Sequence, residues 1–212
     1  AEPRPVEVRA HLLRAVRDKL PAGRYSLLLT MHDRLGGCPL AWSRKDSGAT
    51  ILGQRPSATR PQVHRGRYYD GELRIEQSMI ALCPSDVKLH PSNVFIFELY
   101  RIGDSVDKKY TVVGWGVLPM CDGYFSVVKG CFKVPLLKGP VDRTIDLHRA
   151  FEDLYRQDLS RWLANIYVEV RYLPRKTLDA AGLPSSEYDI EYDFVNSLLN
   201  LGSEDVEARN LI

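Results

Sequence analysis

The side chains grouped closely enough along this chain to act together are cations. Arg44, Lys45, Arg55, Arg60, Arg65 and Arg67 fall within Ser43–Arg67 against the single acid Asp46, a net charge of +5. His64 lies among them, and Tyr68-Tyr69 follows directly. A guanidinium offers a planar fork of N–H donors, so several on one segment suit carboxylate or phosphate oxygens. Such a segment seeks polyanions: acidic tubulin tails, phosphoinositides or nucleic acid. Nucleic acid is not expected, because no DNA- or RNA-binding motif accompanies the charge. A solvated loop with no ligand is the competing reading.

Catalysis finds little support. His11, His32, His64, His90 and His148 are isolated from one another, and no GxSxG, HExxH or P-loop occurs. The expectation is a protein that is not an enzyme, with no catalytic residues, no metal and no cofactor. Cys38, Cys83, Cys121 and Cys131 form no CxxC pair, which reads as free thiols in a reducing compartment.

The second charged segment has the opposite sign. From Asp179 to Glu207 there are eight acidic residues and no Lys or Arg. Phe194, Leu198 and Leu199 stand near helical spacing there, as apolar anchors on a basic neighbour or on the chain's own basic loop. A disordered solvating tail is the alternative.

The elements that must position these groups are mostly strands. Val8, Leu12, Leu13, Val16 and Leu20 recur at steps of three and four, which predicts an amphipathic helix within Val6–Leu20, stopped by Pro21 and Gly23. Arg24–His32 reads as a strand closed by the Asp33–Gly37 turn, with a short strand at Leu40–Trp42. Ser43–Arg67 has no periodicity and reads as a long loop. Tyr68–Leu82 holds a strand. Val94–Ile102 and Tyr110–Pro119 flank the polar segment Gly103–Lys109. Val94–Ile102 is apolar on both parities, so both of its faces are expected to be covered. Cys131–Leu137 is a further strand, a helix spans Leu147–Gln157, and Trp162–Leu173 alternates as a half-buried strand.

These elements predict an all-β antiparallel sandwich over 24–174, an N-terminal helical extension over 1–23, one inserted helix, and a partly helical acidic extension over 175–212. With 44% hydrophobic and 26% charged residues the composition is that of a globular protein, and no apolar run is long enough to span a membrane. The N-terminus has no signal-peptide core and no Met, so the chain is open to being a piece of a longer one.

The order strand, DRLGG turn, NVFIFELYRI, polar loop, YTVVGWGVLPM, GCFKVPLLKG, helix, ANIYVEVRYL resembles a C2 domain over about Arg24–Pro174. Gly114-Trp115-Gly116 with Leu118-Pro119 is similar to the divergent C2 domains of ciliary and centrosomal proteins of the jouberin, nephrocystin and coiled-coil-and-C2 kinds. The resemblance implies a structural or scaffolding module in a larger cytoplasmic assembly of a cilium, axoneme or centrosome, with other proteins, including microtubules, as partners. A peripheral domain that binds anionic lipids is the alternative. Family members that bind calcium gather carboxylates from two loops. Here the candidate loops offer Asp33, and Asp104 with Asp107, while Tyr100-Arg101-Ile102 stands where the family places an acidic pair. The resemblance therefore implies independence from calcium.

Overall fold

The computed structural model describes residues 4–40, 57–103 and 110–173. Their strands are β1 (Arg4–Arg14), β2 (Gly23–His32), β3 (Ser57–Ala58), β4 (Gln62–His64), β5 (Glu72–Cys83), β6 (Val94–Ile102), β7 (Tyr110–Pro119), β8 (Gly130–Lys138) and β9 (Trp162–Tyr172). One helix, α1 (His148–Gln157), precedes β9. Every pairing is antiparallel, in the order β3-β2-β6-β7-β8-β9-β1-β5, with β4 also on β2. β7 and β8 share only Gly114–Lys138 and Trp115–Leu137. The hydrogen-bonded path folds over at that narrow seam into two leaves. Leu27, Leu29, Phe95 and Phe97 of one leaf share a core with Val8, Leu13, Met79, Val168 and Val170 of the other. That is a sandwich.

The N-terminal segment corrects the sequence expectation: it is a strand, not a helix. β1 lies between β5 and β9, inside the second leaf. Val6, Val8 and Ala10 face the core at alternate positions, then the register shifts between Ala10 and Leu12. Against β9, where Ala10 pairs Val168 and Leu12 pairs Tyr167, His11 is the extra residue of a β-bulge. One extra residue flips the parity, so Leu13 becomes the next core residue, and Val16 and Leu20 follow from the turn beyond. A period of two broken by a bulge thus reproduces steps of three and four. Within the expected 1–23 extension, Arg4–Arg14 is therefore a strand of the sandwich.

The 57–67 end of the expected long loop is also structured. Ser57–Ala58 and Gln62–His64 both lie along β2. Between them the Thr59 hydroxyl accepts from Leu27 N–H at 2.9 Å, and the Thr59 carbonyl accepts from the Ser26 hydroxyl at 2.6 Å. Pro61, which has no N–H to donate, separates the two short pairings. Elements of two and three residues are too short to show a period.

The two-faced apolar pattern of β6 has a different cause on each side. Phe95, Phe97 and Leu99 point into the sandwich core. Val94 and Ile96 point outward, with Trp115 and Val117 of β7, into a second cluster capped by Phe151 of α1. The Trp115 and Phe151 rings stand 5.1 Å apart at 60°. Burying Phe151 alone is worth about 1.5–3 kcal/mol, which holds α1 on this face.

Candidate functional site

Register fixes which loops share an end. Arg24 pairs with Ile102 and His32 with Val94, so Asp33 and the segment that opens at Gly103 leave opposite ends of the first leaf. The two loops offered by sequence as a calcium pair therefore depart from opposite ends, and Asp104 and Asp107 lie outside the described residues. Asp33 itself caps its turn: its carboxylate accepts from the Arg34 and Cys38 N–H groups, both at 2.8 Å. Leu35, of the same turn, is buried in the outer cluster. Among the described residues, no three His, Cys, Asp or Glu side chains are placed to hold a metal.

One end of the sandwich collects cations instead. β1, β4, β6 and β8 finish there and β2, β5, β7 and β9 begin there. A pocket of about 250 Å³ opens between the β1–β2 loop and the β4–β5 loop, lined by Arg17, Asp18, Lys19, Leu20, Pro21, His64, Gly66 and Arg67. Two features bring its walls together. Tyr25 hydroxyl donates to the Pro21 carbonyl at 2.7 Å. Gly66, at φ +67°, passes so close to Ala22 that a Cβ would stand 2.9 Å from the Ala22 nitrogen.

Aromatic rings hold these cations. The Arg17 guanidinium lies 4.6 Å from the Tyr68 ring centre, and the Lys19 ammonium 3.5 Å from that of Trp162. Arg67 donates to the Tyr69 hydroxyl at 2.9 Å. Tyr68 and Tyr69 remain 73% and 68% exposed, so their rings serve the cations more than the core. Among the described residues, no carboxylate forms an ion pair with the side chains of Arg17, Lys19, Arg65 or Arg67. The second leaf is the opposite case: Arg4, Arg9, Arg14 and Arg171 all reach Asp or Glu. Burial, then the neighbouring Lys138 cation, hold the Lys19 ammonium below the usual lysine range. Lys138 thus adds a like charge beside Lys19, which a bound anion would offset.

The sequence-predicted residues divide. Arg67 lines the pocket, and exposed Arg65 precedes Gly66 on the same turn. Arg60 lies away from it, its backbone held by the Gln77 amide through an N–H donated at 2.7 Å and a carbonyl accepting at 3.2 Å. Arg44, Lys45, Arg55, Phe194, Leu198 and Leu199 lie outside the described residues. Arg17 and Lys19 were missed. Their signal was present in Val16–Gly23, VRDKLPAG, but reading that stretch as a helix face gave its charges a structural explanation.

A scan against protein-family models finds no match, and a search of curated proteins finds none. Among solved structures the chain is similar to a C2 domain of plant extended synaptotagmin 1. The likeness has 11% identity, covers 84% of this chain and 99% of that one, and has a TM-score of 0.46. The all-β sandwich itself rests on the strand order and register described above.

Proposed function

We propose that this chain is a non-catalytic, C2-like interaction module that docks an acidic protein surface of a larger assembly through its basic end. The observation that carries this reading is the set Arg17, Lys19, Arg65 and Arg67, which no carboxylate of the described residues neutralises and of which Tyr68, Trp162 and Tyr69 hold Arg17, Lys19 and Arg67 in place. Cations fixed on rings lose less side-chain freedom when a partner arrives. The C2-like reading is supported by the sequence order, whose NVFIFELYRI, YTVVGWGVLP and ANIYVEVRY stretches form β6, β7 and β9. From the same resemblance, the assembly proposed is cytoskeletal and ciliary, with acidic tubulin tails as the leading partner. Calcium plays no part in this reading.

A second reading is favoured by one observation: exposed Tyr68 and Tyr69 beside Arg17 and Arg67 also suit the interface of an anionic membrane. Co-sedimentation at physiological salt separates the two. The arms are intact microtubules, microtubules stripped of their acidic tails, anionic liposomes and neutral liposomes. Pelleting with intact microtubules alone is the expected result. Pelleting with anionic liposomes alone would replace the first reading by the second.

A further inference from the structure

The surface of the basic end does not account for what lies inside its pocket. His64 is only 3% exposed and lines the pocket, and among the described residues neither of its ring nitrogens has a hydrogen-bond partner. Its neighbour Tyr25 meets it ring to ring, edge-on, with centres 6.3 Å apart, and its hydroxyl donates instead to the Pro21 carbonyl. An imidazole always carries at least one N–H, and leaving a buried donor unpaired costs about 1–3 kcal/mol. Such a group calls for a partner such as an ordered water, an ion or a ligand.

The charges around it name the missing partner. Arg17, Lys19 and Arg67 bring three positive charges to the pocket lining and Asp18 one negative, a surplus of two. A phosphate monoester carries nearly two negative charges at neutral pH, with three strong acceptor oxygens. A carboxylate brings a single charge and would leave one cation unmatched. Arg17 and Lys19 are held on the Tyr68 and Trp162 rings, which leaves their N–H groups to reach an oxygen. The pocket's volume of about 250 Å³ leaves room for a phosphate and its waters.

We propose that the pocket between the β1–β2 and β4–β5 loops is a binding site for one phosphate group, held by Arg17, Lys19 and Arg67 and completed by the His64 ring. Phosphate charge draws in the three cations, and turning the His64 N–H toward the pocket gives it an acceptor. The same chemistry comes from two sources, a soluble phosphorylated molecule or a phosphorylated lipid headgroup. The site goes beyond surface docking, because it requires the pocket and not merely the charge of the end.

The test is a ¹H–¹⁵N NMR titration of the full chain with inorganic phosphate, with chloride at equal ionic strength, and with inositol trisphosphate. Vesicles that carry the same headgroup follow. The expected result is saturable movement of the His64 ring nitrogens and of amides in 16–21 and 64–67 with phosphate and not with chloride. Inositol trisphosphate should bind more tightly, and Arg17→Gln with Arg67→Gln should weaken both at least tenfold. Binding of free headgroup without vesicles assigns a soluble source, and binding of both assigns the lipid. No saturable movement with either phosphate compound would overturn the proposal, as would equal movement with chloride. Undiminished binding in a folded double variant would do the same. Should that variant not fold, His64→Gln supplies the comparison, and the titration of the unaltered protein decides alone. Vesicle binding without any phosphate response would overturn the pocket while leaving surface docking intact.

Discussion

At the scale of single residues, Gly114-Trp115-Gly116 shows how one motif serves two packings. A Cβ on Gly116 would stand 2.5 Å from the Pro135 carbonyl oxygen and 2.7 Å from a Leu136 methyl. The glycines let β7 press against β8, while Trp115 turns the other way onto Phe151. Gly116→Ala should therefore destabilise the fold by about 1–3 kcal/mol, measured by urea unfolding. Gly123→Ala, whose Cβ meets nothing within 4 Å, should change little. Cys83 offers a second measurement. Burial pushes its thiol from 9.0 up to about 12, against the opposing pull of Arg4. Between those values the unfolded chain gives up a proton that the folded chain keeps. Stability therefore falls as pH rises above 9, by up to about 1.4 kcal/mol per pH unit. Urea unfolding between pH 8.5 and 9.5, below the ordinary tyrosine value of 10.0 at which Tyr25 and Tyr172 join in, should show that slope, to which the raised Cys121 thiol adds. Cys83→Ala should lessen it, leaving the part that Cys121 supplies.

At the scale of elements, β1 decides how the sequence should be read. It is paired on both sides, so deleting residues 1–14 would leave the edges of β5 and β9 bare. The shortened chain should show no cooperative thermal transition. A retained transition would mean that the segment is the dispensable extension its apolar spacing suggests. The bulge at His11 also explains why that spacing misled. His11 sits 3.4 Å from Glu76 of β5 and 3.5 Å from Glu169 of β9, so the extra residue is held on the outer face by charges that come from other strands. No local pattern announces them. β2, β6, β7, β8, β9 and α1 were legible because each carries its own period or its own stop, as Lys138-Gly139 ends β8. The coverage of both faces of β6 was legible too. What covers them was not, since Phe151 lies far along the chain from Ile96. The candidate site was half legible: Arg65 and Arg67 stood out by density, whereas Arg17 and Lys19 join them only through the hairpin-like approach of two loops.

At the scale of the whole molecule, the two ends of the sandwich differ in what their cations do. At the far end Arg4 is paired with Asp86 at 2.9 Å and stacks over the Tyr172 ring at 4.7 Å. At the basic end Arg14 is paired with Glu72, whereas Arg17 and Lys19 lean on rings and leave their charge for a partner. Charge that is not neutralised within the fold projects about 8 Å into solution at physiological salt, so partner binding should weaken steeply as salt is raised. The most direct test compares two charge-reversal variants for pelleting with intact microtubules at physiological salt. One carries Arg17→Glu, Arg65→Glu and Arg67→Glu at the basic end. The other carries Lys88→Glu and Lys129→Glu at the far end, and both are first checked for unchanged melting. The account predicts at least a tenfold loss of affinity for the first and near-native binding for the second. Equal loss in both, or loss in the far-end variant alone, would contradict it.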